Sequence, residues 1–320
     1  MTPRSSARRR AIARAPGGIG NIGPGLDVLG CAITGAHDEV LAAWCDQPGV
    51  TVLDAGHPDL PRDAGAHTAA IAASSVMARA RAARGELASE GIALTVTKGL
   101  PLAGGQAGSA ASAVAGAVAA NALLGAGLDT QELLACCLEA ESRVAGRHLD
   151  NIAAVLFGGI VLVRSVDPID VIRLPVPKDL HLVLAHPAQR LSTADSRRAL
   201  PATVAREVAT HQIAQVAAMV AACYANDVAL FARALDDRIA EPARASLLPG
   251  FSEAKAAALD AGALAASISG AGPTAFAVVR DRATGARVGD AMHAAYTRMG
   301  VACATRLTQV DERGTTLEVQ

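Results

Sequence analysis

The chain has 320 residues, a net charge of −1 and a hydrophobic fraction of 51%. That length holds two domains or one large one, and the balanced charge points to no nucleic-acid or membrane partner. No apolar run approaches the ~20 residues that span a bilayer, and with aromatics at 2% no base-stacking surface is expected.

Residues 1–10 are basic and serine-containing but lack the apolar core of a secretory signal, so they read as a frayed tail before the first strand. AIARAP and CAITGAHDEVLAAW are compatible with strands, broken by GGIGNIGPG. TAAIAASSVMARARAA reads as a helix and IALTVTKGLP as a strand ending at a proline. A helix over 109–124 follows, ended by Gly125, then a second through TQELLACCLEAESRVAG and a strand GGIVLVRS. Beyond VDPID the pattern restarts with strands VIRLPV and LHLVLAHP, helices through 192–236 and the helix SEAKAAALDAG. The strand–glycine–strand unit AASISGAGPTAFAVV, a helix DAMHAAYTRM and a strand VACATRLTQV complete the chain. Two successive blocks of mixed elements predict an α+β protein with domains over 1–168 and 169–320.

The stretch PLAGGQAGSAAS raises a chemical question. Pro101, Leu102 and Ala103 lead into Gly104 and Gly105; Gln106, Ala107 and Gly108 follow, and Ser109 and Ala110 open an alanine-rich helix. Between strand and helix, such a loop presents orphan N–H groups and partial positive charge to an anion. The same small residues also serve plain close packing. The loop is not a Walker A motif, because no Lys-Ser/Thr pair follows its glycines. Six cysteines show no CxxC and eight histidines no HExxH, a pattern of buried reduced thiols in a cytoplasmic protein.

ARAPGGIGNIGPGLDVLG, KGLPLAGGQAGSAASAVAGAVAANALLG and SISGAGPTAFAVV occur in this order and resemble the three motifs of the GHMP small-molecule kinases. GRHLDNIAAVLFGG and DDRIAEPARASLLPGF are similar to two further motifs of the homoserine kinase family within that group. The likeness spans roughly residues 11–310. In the second motif the family's usual GLGSSAAS stands here as GQAGSAAS, so Gln106, Ala107 and Gly108 depart from it while Ser109 keeps the second serine. Ala154 stands where a proline is usual.

The resemblance implies a ribosomal-protein-S5-like N-terminal domain and a ferredoxin-like C-terminal one. It implies ATP on the loop from Pro101 to Ala110, with Ser269, Gly270, Ala271 and Gly272 as a second glycine-rich turn near phosphates and substrate. Mg²⁺ would be held by Ser109 and Glu141, with Glu139 as a rival carboxylate. Asn21, Asp27, His148 and Asn151 would contact the amino-acid substrate: Asp27 suits its ammonium, and Arg197 and Arg244 its carboxylate, with Arg198 as a substitute for Arg197. Asp150 and Asn151 belong to the catalytic group, the identity of a general base being left open. The expectation is therefore a cytoplasmic, ATP- and Mg²⁺-dependent kinase of L-homoserine in threonine biosynthesis, with a homodimer allowed. Its rivals are a GHMP kinase for another small alcohol, such as mevalonate or a sugar, and a nucleotide-binding regulator without catalysis.

Overall fold

A computed structural model describes residues 9–84, 91–144 and 146–320. Residues 1–8 of the expected tail, and Ala145 at the end of the expected second helix, lie outside that set. The first body is a seven-stranded sheet with helices on one face. β1 (Arg10–Gly20) runs through the glycines expected to break it and pairs antiparallel with the long β2 (Leu29–Cys45). β3 (Gly49–Asp54), not foreseen from sequence, crosses over through α1 (Thr68–Arg84) to the parallel β4 (Gly91–Thr97). α2 (Gly108–Leu124), α3 (Thr130–Val144) and α4 (Asp150–Phe157) complete the helical layer, and β5 (Ile160–Val166) returns against the start of β2.

β6 (Ile169–Leu174) forms a hairpin with β5 and so belongs to this first sheet. The boundary expected at 168/169 therefore falls inside a paired hairpin; the second body begins beyond Leu174. Its sheet is antiparallel, in the order β10–β7–β9–β8, from β7 (His181–Pro187), β8 (Ala265–Ile268), β9 (Ala275–Val279) and β10 (Cys303–Gln309). Between β7 and β8 come α5 (Thr193–Arg198), α6 (Arg206–Ala225), α7 (Val228–Arg233), α8 (Ala240–Ala245) and α9 (Phe251–Asp260). α10 (Arg282–Arg298) starts well before the expected Asp290, because the Asp281 carboxylate caps it by accepting from the Thr284 N–H at 2.7 Å. Beyond it, β11 (Thr316–Val319) leaves the second body and pairs antiparallel with β1.

Alternation along β7 explains how the bodies are joined. Val183 and Ala185 pack with α9 and α10, whereas Leu182 and Leu184 face a core shared with Ile19, Leu29 and Ile33 of the first body. α2 is apolar all round and nearly all buried, as a helix enclosed by sheet and neighbouring helices must be. Its alanines let α1 approach closely, which places the loop ahead of α2 at the seam between the bodies.

Candidate active site

A cavity of about 520 Å³ opens at that seam. Its floor is the stretch Pro101–Ser109 except Gln106, and its far wall is Gly270, Ala271 and Gly272. The loop closes on α2 through Ala107, which takes the left-handed conformation at φ 58° and offers no side-chain cap. N–H groups of the first helical turn therefore have no intrahelical partner. Gly105 is required where it stands: φ is 69°, and a Cβ there would meet the carbonyl oxygens of Ser269 and Gly272 at 2.6 and 2.7 Å.

Ser109 is not a helix cap. Its hydroxyl instead donates to Glu141 of α3, 32 residues away, at 3.2 Å. Burial pushes the Glu141 carboxyl up to about 7, against the opposing pull of the Ser109 hydroxyl. Glu139, the rival carboxylate, points outward to Arg79.

At the other end of the cavity, Asp27, His148, Arg197 and Arg244 converge. Arg197 donates to both Asp27 oxygens, at 2.6 and 3.2 Å, and His148 Nδ1 lies 3.2 Å from the same carboxylate. Burial draws the Asp27 carboxyl upward, but the hydrogen bonds from Arg197 and the charges of His148, Arg197 and Arg244 together hold it below the usual range. Burial lowers the His148 imidazole, against the opposing pull of the Asp27 charge. Arg198 turns to solvent and pairs with Asp195.

Asn21 ties the pieces together. Its side chain donates to the Gly270 carbonyl at 3.1 Å and accepts from the Asp27 N–H, while its own N–H donates to Asp150 Oδ2 at 3.2 Å. Burial first, and the Asp27 charge second, push the Asp150 carboxyl up to about 6. Asn151 donates to the same Asp150 oxygen. Gly30 makes this possible, because a Cβ there would collide with the Asp150 carbonyl at the start of α4. Arg244, 3% exposed, donates to the Gly270 carbonyl at 2.8 Å. Among the described residues, the buried Nε–H groups of Arg197 and Arg244 meet no hydrogen-bond partner.

Two residues of the expected ATP loop and one of the second glycine-rich turn stand differently. Gln106 turns away from the cavity: its carboxamide accepts from Arg306 and donates to Thr274. Ala110 is buried in the helical core. Ser269 braces the loop from behind, donating to the Gly105 carbonyl at 2.6 Å, and Thr274 does the same to Gly104 at 2.5 Å. Sequence reasoning missed Thr274, together with the buried ion pair of Lys98 and Asp38, which holds Ser112 and the start of α2. A charge in the middle of the apolar alternation of β2 is the one signal that marked Asp38.

Residues 68–159 match the GHMP kinases N terminal domain and residues 219–298 the GHMP kinases C terminal domain. A homoserine kinase of Chlorobaculum tepidum is 39% identical over 285 residues, covering 87% of this chain and 88% of that protein. The chain belongs to the homoserine kinase family of GHMP kinases. A homoserine kinase of Arabidopsis thaliana is 38% identical over 311 residues, 93% of this chain and 83% of that one. The crystal structure of the family member from Cytophaga hutchinsonii superposes with a TM-score of 0.90 at 37% identity, covering 99% of this chain and 100% of that chain.

Proposed function

We propose that this protein transfers a phosphoryl group from ATP to the side-chain hydroxyl of L-homoserine, forming O-phospho-L-homoserine for threonine biosynthesis. The observation that carries the reading is the charge arrangement facing the phosphate loop: Asp27 beside Arg197 and Arg244, whose two Nε–H donors are buried and unpartnered. Burying such donors unpaired costs about 1–3 kcal/mol each, and a carboxylate in the cavity would satisfy them. An amino acid supplies that carboxylate and, for Asp27, an ammonium. Mevalonate lacks the ammonium and a sugar lacks both.

Phosphoryl transfer leaves the protein little covalent chemistry and asks chiefly for positioning and charge neutralisation. The loop from Pro101 to Ser109 would cradle phosphates on backbone N–H groups. Ser109 and Glu141, two oxygen donors already in contact, fit Mg²⁺, which would neutralise phosphate charge. Asp150 and Asn151 would orient the acceptor hydroxyl, with Asn21 fixing Asp150. That constellation favours catalysis over a purely regulatory nucleotide site. The six free cysteines support a reducing, cytoplasmic setting.

The test is steady-state turnover of a panel of acceptors with ATP and Mg²⁺. L-homoserine is expected to give the highest kcat/KM; equal or better turnover of mevalonate or galactose refutes the reading.

A further inference from the structure

A second and larger cavity, about 920 Å³, lies behind the phosphate loop. Lys98, Pro101, Leu102 and Arg190 wall both cavities and separate them. Among the described residues no Asp or Glu lines this second space, whereas Lys98, Arg190 and Arg306 all do. Two of these cations are already matched, Lys98 by Asp38 and Arg190 by Asp59. Arg306 is not: its guanidinium donates to the Thr34 carbonyl at 2.7 Å and to Gln106 Oε1 at 3.0 Å, both neutral. Among the described residues it meets no carboxylate. Burial alone acts on it and lowers its pKa. A half-buried guanidinium with spare donors and no counter-charge, set in an acid-free cavity, is an anion anchor.

We propose that this cavity is a second ligand site, taking a small phosphate- or carboxylate-bearing metabolite on Arg306, and that Gln106 couples its occupancy to the phosphate loop. The coupling path is continuous. Gln106 Nε2 donates to Thr274 Oγ1 at 3.2 Å, Thr274 donates to the Gly104 carbonyl, and the Gln106 carbonyl accepts from the Gly18 N–H at 3.2 Å. An anion that draws Arg306 away from Gln106 removes one support of the loop and weakens its hold on nucleotide. Gln106, which puts a polar carboxamide where the family's usual leucine is apolar, is the link.

The test titrates inorganic phosphate into the full-length protein by calorimetry, alone and with a non-hydrolysable ATP analogue saturating. With the analogue filling the phosphate loop, one phosphate should still bind, more weakly than to the second site of the nucleotide-free protein because the coupling is reciprocal, and Arg306→Met should weaken it at least a further tenfold. Ala304→Glu is the second variant: Ala304 is exposed, lines the cavity and lies two residues from Arg306 on the same face of β10, so its carboxylate would occupy the guanidinium without removing it. It should abolish phosphate binding as well. Phosphate should also raise the KM for ATP in the wild type and not in Ala304→Glu, an arm that rests on the kinase reading; the calorimetry judges the cavity without it. Binding that vanishes when nucleotide is present, or survives both substitutions, overturns the site. A KM for ATP that responds equally in wild type and Ala304→Glu overturns the coupling.

Discussion

Replacing Arg197 by alanine tests the heart of the substrate assignment. In the free protein Arg197 is engaged with Asp27, the two side chains being 29% and 33% exposed. A zwitterion must part this pair, placing its ammonium on Asp27 and its carboxylate on Arg197. A charge-assisted hydrogen bond is worth about 1.5–3 kcal/mol, and a pair this accessible is worth at most about 1 kcal/mol after screening. Losing the first while no longer having to break the second leaves a net loss of about 0.5–2 kcal/mol, or roughly 2- to 30-fold in affinity. A coupled assay of ADP release should show the KM for homoserine rising by that factor while the KM for ATP stays within about twofold. An analogue without the carboxylate has nothing to lose at this position and no pair to break in the variant, so the variant should turn it over as well as the wild type or up to about fivefold better in KM. Equal rises in both KM values, or an equal loss for the analogue, would refute the exchange of partners.

Ser109→Ala should lower kcat at least tenfold at saturating ATP and Mg²⁺ if, as proposed, the hydroxyl on Glu141 is the loop's own oxygen ligand to the metal; unchanged turnover would show that the metal is held elsewhere. Gly108→Ser should stay within threefold in kcat, since a Cβ there would find Lys98 Nζ and the Pro101 carbonyl at an ordinary 3.5 Å. Gly30→Ala should depress kcat without unfolding the protein at 25 °C, by pushing the start of α4 and Asp150 out of line; full activity would overturn the packing argument. Glu141 supplies a pH test. The fold raises its carboxyl from 4.5 to about 7, so the folded state binds the proton more tightly than the unfolded chain, and metal-free stability falls as pH rises across that window. The cost, complete above pH 7, is up to about 3 kcal/mol. Glu141→Gln should therefore be more stable than wild type towards urea at pH 8 and about equal at pH 5; the reverse order would contradict the burial.

What the sequence made legible was what local chemistry writes down. The span of α2 was read to within one residue, because Gly125 takes the left-handed conformation, φ 57°, that stops a helix. β3 and β11 escape the sequence reading: GVTVLD and TLEV are short, TLEV is exposed throughout, and pairing with distant strands, not their own pattern, makes them strands. α10 was read eight residues too short because Gly285 and Gly289 interrupt its apolar pattern, although both are buried against the second sheet. At the site, Asp27, Arg197 and Glu141 were named from motif chemistry, but their contacts span up to 170 residues of chain and no periodicity encodes them. Gln106 was placed in the nucleotide site with its neighbours. The direction of a side chain in an irregular loop is set by what packs behind it, here Thr274 and Arg306.

The return of β11 to the first sheet has a consequence for how the molecule is made. Until β11 arrives, β1 is an edge, with the backbone groups of Ala11 to Arg14 open to any passing strand. Those groups wait while the whole second body is synthesised, although the rest of their sheet can already have assembled. Vectorial folding, in which an early domain finishes before a later one begins, is thus closed to this topology. The β1–β11 pairing ties the two bodies together and joins segments from opposite ends of the fold, the kind of long-range closure that slows folding.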